Sequence, residues 1–231
     1  MKADRKHISK MTSKDNILNK LRSNVRETYD MPDLSFQKLT FADPVAEFIR
    51  QTTTTAGARL IEAAESDDLC DLIRQAYPDA NVISTNVEGI TAEGLNKAYG
   101  RTVELRNTDT VAAAQDLDGT DVGVLQGGVA CAENACVWIP QTMKERAVCF
   151  ISEYLIIIVS RKNIVSNMHQ AYAWLDGIQG KAEGDVPYGT FISGPSKTAD
   201  IEQSLVYGAQ AACGVTVILT GSLPTSPSKG S

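Results

Sequence analysis

The sequence predicts an α/β protein, a single sheet-centred domain behind a helical N-terminal extension. Three observations carry that expectation. From residue 43 onward, segments of helical period alternate with short apolar strands, the order produced when crossover helices return the chain to a sheet. The run Tyr154-Leu-Ile-Ile-Ile-Val159 is apolar throughout, so it needs cover on both faces, as a central strand does. Near the end, the strand-like run 189–193 breaks at Gly194-Pro195. It continues through Ser196, Lys197 and Thr198 into Ile201, Leu205 and Val206 at helical spacing, which reads as a strand–loop–helix junction.

Residues 1–12 are polar, and Thr12 or Ser13 caps an amphipathic helix over 14–24 with Ile17, Leu18 and Leu21 on one face. Residues 25–42 read as an arm with scattered anchors at Tyr29, Leu34, Phe36 and Phe41. Asp43-Pro44 opens the next helix, which directs Val45, Phe48 and Ile49 inward. The β-branched run 52–55 suits a helix interior poorly, and Gly57 permits a turn into a strand at 58–62. Ser66-Asp67 caps a helix through Ala76, Pro78 stops it, and 81–84 is the next strand. Residues 91–99 suit a short helix, and 109–115 have helical composition before a turn at Asp116 to Gly119. A buried strand at 122–125 leads through Gln126-Gly127-Gly128 and Cys131 to Asn134 into a strand at 135–139. Helices at 144–151 and from Asn163 flank the run 154–159. A polar loop at 177–187 precedes the junction, and 215–219 is the last strand. The expected organisation is a helix and arm at 1–42, an α/β domain at 43–219 and a disordered tail at 220–231.

The chain has 231 residues and a formal net charge of −6, which disfavours nucleic acid or a membrane surface as a partner. Its longest apolar run is strand-sized, and the Lys-rich N-terminus lacks the apolar core of a secretory signal. Five cysteines without a C-x-x-C pair fit reduced thiols in the cytoplasm. Cys131 and Cys136 have no standard metal spacing, and His7 and His169 have no ligand partner close in sequence, so no metal site is expected.

Ligands of open α/β sheets bind beyond the carboxyl ends of strands. Two segments meet that condition, 126–134 and 194–202. If their strands are neighbours, the loops form one crevice, with Gly127 and Gly128 letting the backbone approach a ligand. Free N–H groups at a helix start over Ser196 to Thr198, with Lys197, would hold an anion. The same residues also suit a plain capped helix after a tight turn. Glu133 could serve as an acid–base group or nucleophile, or could cap a neighbouring backbone or pair with Lys197 or Arg146. Cys131 has no nearby histidine to activate it, and Trp138 and Trp174 suit a core.

The stretch Ile192-Ser-Gly-Pro-Ser-Lys-Thr-Ala-Asp-Ile-Glu202 resembles the signature of the LUD domain, the lactate-utilisation protein C (LutC/YkgG) family. The resemblance extends to the N-terminal helix, to 121–139 and to Ile164-Val165, and so over most of 13–219. It implies a three-layer α/β/α fold of the NagB/RpiA/CoA-transferase-like group. It also implies a part in an L-lactate utilisation system that oxidises lactate to pyruvate, with iron–sulfur centres carried by partner proteins of the LutA and LutB type. No cofactor is expected on this chain. The candidate catalytic group is Glu133, and the ligand-binding candidates are Gly127, Gly128, Asn134, Gly194, Ser196, Lys197, Thr198 and Asp200, around a small anionic ligand. A homo-oligomer is a further expectation. Two departures stand out: Gln210 lies where relatives carry a histidine, and Asn134 where many have Thr-Gly. The alternatives are a non-catalytic scaffold for the iron–sulfur partners, and an acyl or phosphosugar enzyme of the wider fold group.

Overall fold

The computed structural model describes residues 12–25, 27, 29–30, 32–33, 39–179, 188–199 and 204–221. The chain divides into two units, residues 1–37 and 38–231. In the first, helix α1 (Ser13–Asn24) begins at a capping box. Thr12 accepts a hydrogen bond from the Asp15 amide, and the Asp15 carboxylate accepts one from the Thr12 amide.

The second unit is built on a six-stranded sheet. Its strands are β1 (Arg59–Glu62), β2 (Val82–Thr85), β3 (Glu104–Asn107), β4 (Val122–Gln126), β7 (Tyr154–Ser160) and β12 (Gly214–Thr220). The order is β1-β12-β7-β4-β2-β3, and every pairing is parallel. A smaller sheet contains β5 (Ala130–Cys131), β6 (Cys136–Pro140), β8 (Ile164–Val165) and β9 (Gly189–Ile192), in the order β8-β5-β6-β9. Strands β10 (Lys197–Thr198) and β11 (Val206–Tyr207) form a separate antiparallel pair. The helices are α2 (Pro44–Thr54), α3 (Leu69–Ala76), α4 (Ala92–Tyr99), α5 (Val148–Ile151) and α6 (Met168–Gln179).

The all-apolar β7 is central, between β12 and β4, and its alternate residues face opposite layers. Leu155, Ile157 and Val159 join a core with Phe48 of α2, Val137 and Ile139 of β6, and Val217 and Leu219 of β12. Ile156 and Ile158 join Ile73 of α3, Leu95 of α4, and Val122 and Val124 of β4. Helices α3 and α4 therefore cover one face of the sheet. The other face meets α2, α5 and the smaller sheet, whose far side carries Val129 and Trp138 against Ala171 and Leu175 of α6.

Several sequence expectations need correction. The helix expected through Ile201, Leu205 and Val206 is not formed at its end, where Val206 pairs with Thr198 as strand; residues 200–203 lie outside the described residues. Ser196 donates its amide to the Ala212 carbonyl (3.0 Å) and accepts from Gly208 (3.0 Å), which holds the chain extended into the β10–β11 pair. Strand β9 belongs to the smaller sheet, paired with β6, and is not a neighbour of β4. The helix expected from Lys144 is confined to Val148–Ile151, because Asp109 and Thr108 take the amides of Lys144 and Glu145. The helix expected from Asn163 starts at Met168, since Ile164 and Val165 pair with β5 and Asn167 supplies the cap through Gln170. It also runs through Gly177, where a loop was expected. Asp109 to Gln115 is largely turn, with a short 3₁₀ segment at Ala114–Leu117, where Asp116 binds the Ala112 and Ala113 amides. Asp68, not Ser66-Asp67, caps α3. Helix α2 runs through its β-branched residues to Thr54, held by Phe48 in the core, and the Thr53 and Thr54 hydroxyls bond the carbonyls of Ile49 and Arg50 four residues back.

Candidate functional site

Strands β5 and β6 form a hairpin in the register Ala130↔Val137 and Cys131↔Cys136, so Ala132 to Ala135 make its turn. The turn is tight enough to hold Ala135 at φ 53°, a conformation that non-glycine residues seldom adopt. Glu133, half-buried, accepts a hydrogen bond at Oε1 from the Met168 amide (3.2 Å), the first residue of α6. Its own amide bonds to the Ser166 carbonyl (3.1 Å). The carboxylate thus caps α6, the position a helix dipole favours for negative charge. Asn134 Oδ1 accepts from the Cys136 amide (3.2 Å), and the Asn134 carbonyl accepts from Ser193 Oγ (2.7 Å). That last bond joins the hairpin turn to the end of β9 and so to the start of the 194–198 segment.

Gly194 turns the chain with φ +69°, and a Cβ there would lie 2.2 Å from the Ala56 carbonyl oxygen. The segment therefore abuts the end of α2. Lys197, exposed, donates from Nζ to the Thr55 carbonyl (3.2 Å), among the carbonyls left open at that helix end. Thr198 is half-buried and pairs with Val206. Asp200 lies outside the described residues.

Gly127 and Gly128 sit at the opposite end of the hairpin. Their amides bond to Ile158 and Trp138 (2.8 Å each), and Cβ atoms would come within 2.5 Å of Val137 and 2.7 Å of Trp138. The close approach these glycines allow is to the protein's own side chains. The structure thus joins Glu133 and Asn134 to the end of β9 just before Gly194, holds Ser196, Lys197 and Thr198 against Ala212, Thr55 and Val206, and places Gly127 and Gly128 at the other end of the hairpin.

A cavity of about 570 Å³ opens at the amino ends of the parallel strands. Arg59, Tyr77, Asp121, Glu153 and Tyr154 line it. The Arg59 guanidinium lies 4.7 Å from the Tyr77 ring centre, and the Tyr77 and Tyr154 rings are 4.8 Å apart. Asp121 accepts from the Asn81 and Val82 amides (2.6 and 2.9 Å), and the neighbouring Glu153 carboxylate raises the Tyr154 hydroxyl above its ordinary pKa. The 194–198 segment is tied to this region, since the Ala212 carbonyl receives the Ser196 amide and the Cys213 amide bonds to Glu153 (2.8 Å). Sequence reasoning directed to carboxyl ends missed this cavity. Its residues come from five separate segments and share no local motif.

Among the described residues, no group of three or more His, Cys, Asp or Glu is placed to hold a metal ion. No helix there is long and apolar enough to cross a membrane.

These features define an α/β protein with a six-stranded parallel sheet and a small second sheet that bears the hairpin turn. The chain belongs to the LUD domain family, whose model matches residues 45–220. It is similar to the Lactate utilization protein C of Shouchella clausii, 34% identical over 116 residues, which are 48% of this chain and 50% of that protein. The chain thus spans about half the length of that relative. The protein of the same name from an Exiguobacterium species is 26% identical over 215 residues, 88% of this chain and 90% of its own length. Among solved structures, a DUF162 family protein from Deinococcus radiodurans superposes with a TM-score of 0.57 at 16% identity, over 79% of this chain and 99% of its own. That likeness concerns the fold.

Proposed function

We propose that this chain is a component of an L-lactate utilisation system and binds a small carboxylate-bearing ligand beside the hairpin turn, where Lys197 supplies the positive charge. The observation that carries the pathway role is the LUD domain match together with relatives named Lactate utilization protein C, one aligned over nearly its whole length. The ligand site draws its support from the junction of Ser193 with Asn134 and from Lys197, an exposed residue four positions further on whose ammonium donates to the Thr55 carbonyl.

The test is a thermal-shift titration with L-lactate, pyruvate and acetate, paired with growth of a deletion strain on L-lactate. A ligand at a hundredfold its dissociation constant adds about 2.7 kcal/mol, a rise of several degrees. Binding of lactate or pyruvate that disappears in Lys197→Ala supports the site. Unimpaired growth of the deletion strain on L-lactate rejects the pathway role itself.

A second reading, a non-catalytic scaffold that holds iron–sulfur partners of the LutA and LutB type, is favoured by one observation. The groups first assigned to chemistry have structural duties: Glu133 caps α6, and Gly127 and Gly128 pack against Val137 and Trp138. In that case the titration is flat, and the purified chain still co-elutes with the iron–sulfur proteins.

A further inference from the structure

We propose that Cys131 and Cys136 are an oxidative modification site, a dithiol that a peroxide converts to a disulfide across the base of the hairpin carrying Glu133 and Asn134. The two residues are directly opposite each other in the antiparallel register. Such partners have Cα atoms about 4.5–5.5 Å apart and side chains on the same face. A disulfide needs roughly 4.4–6.8 Å between Cα atoms, so the register suits one.

The surroundings divide the chemical roles. Both thiols are buried; Cys136 Sγ lies 3.5 Å from the sulfur of Met168, a half-buried residue, and Cys131 Sγ lies 3.9 Å from the Ser166 carbonyl. The neighbouring Cys136 thiol lowers the pKa of Cys131 below the usual thiol value, against burial, which raises it, and the backbone at Glu133 and Asn134 assists. Cys136 is raised by the same pairing and by burial. In this step Cys131 is the attacking thiolate and Cys136, beside Met168, the resolving thiol. The Cys131 sulfur takes one peroxide oxygen, the O–O bond breaks, and the departing hydroxide gains a proton to leave as water. Cys136, giving up its proton, then attacks the Cys131 sulfur. The S–O bond breaks and a second water departs. Two electrons leave the thiol pair and reduce one peroxide.

The remaining thiols lack this arrangement. Cys70 and Cys149 are buried with their pKa values raised by desolvation, and Cys213 is exposed on another segment. The inference is independent of the pathway role, because it concerns only the hairpin's own chemistry.

The experiment uses the reduced full-length chain, treated with hydrogen peroxide, alkylated and cut by a glutamate-specific protease. Cleavage after Glu133 separates the two cysteines. The expected result is two fragments joined by a bond, lighter by two hydrogens and released by dithiothreitol. In Cys136→Ser, Cys131 should accumulate as a sulfenic acid that dimedone traps. Full alkylation of both cysteines at a peroxide dose that oxidises Cys213 overturns the proposal. So does conversion of Cys131 to a sulfinic acid while Cys136 remains free.

Discussion

At the scale of single residues, Glu133 shows how one side chain can be read in two ways until its neighbours are known. A glutamate after a strand suggests an acid–base group, yet its Oε1 is occupied by the Met168 amide. Glu133→Ala should therefore cost about 1 kcal/mol, as the loss of a helix cap does, with a matching fall in the denaturation midpoint. Lys197→Ala should change stability by less than about 0.5 kcal/mol, because the side chain is exposed and its bond to Thr55 competes with water, while abolishing any lactate-dependent thermal shift. Gly194→Ala is the severe change. It combines a φ of +69° with a contact 2.2 Å from a backbone oxygen, so the cost should exceed about 2 kcal/mol and the variant should accumulate poorly. The family signature around this glycine is thus bound partly by geometry, since a side chain there strikes the end of α2.

At the scale of elements, the legible ones had strong local patterns. Helices α1 and α2 announce themselves through a cap and an apolar stripe. Strand β7 does so through unbroken apolar residues. Elements of two residues, such as β5, β8, β10 and β11, have no period to read, and only their hydrogen-bond partners define them. Helix α1 offers an element-scale test. Its apolar residues Ile17 and Leu21 are each 59% exposed, so little packing supplements its cap. Thr12→Ala should remove about 1 kcal/mol and speed amide exchange in the first turn roughly fivefold, measured by hydrogen exchange. A cap mutation in α2 should have less effect on exchange, because Phe48 anchors that helix in the core.

At the scale of the whole molecule, burial of weak acids gives stability a dependence on alkaline pH. Burial pushes the Cys149 thiol up to about 11 from an ordinary 9.0, and the Tyr99 hydroxyl up to about 12 from 10.0. Both groups stay protonated in the folded chain while the unfolded chain ionises, so the stability present below pH 9 declines as pH rises through 9 to 12. At about 1.4 kcal/mol for each pH unit in which only the unfolded thiol is ionised, Cys149 contributes a loss on the order of 2–3 kcal/mol. Denaturant unfolding at pH 8 and at pH 11 should record this decline, and Cys149→Ala should flatten it even though the variant is less stable at pH 8.

Local hydrophobic period and turn chemistry are sufficient for the α/β class, the central place of the 154–159 strand and the capped helices, so these are legible in the residues alone. A family signature also brings the residues around Glu133 and Lys197 to notice. Only the folded chain settles that Lys197 and Thr198 lie in a strand pair, that β9 joins a second sheet, and that a cavity opens at the amino ends of the parallel strands. The physical reason is common to all three. The amide and carbonyl of Ser196 are satisfied by Ala212 and Gly208, the end of β9 is tied to Asn134, and the cavity wall is assembled from segments distant in sequence. A backbone group takes the best partner that the folded chain presents, and no local pattern names a partner that lies far along the chain.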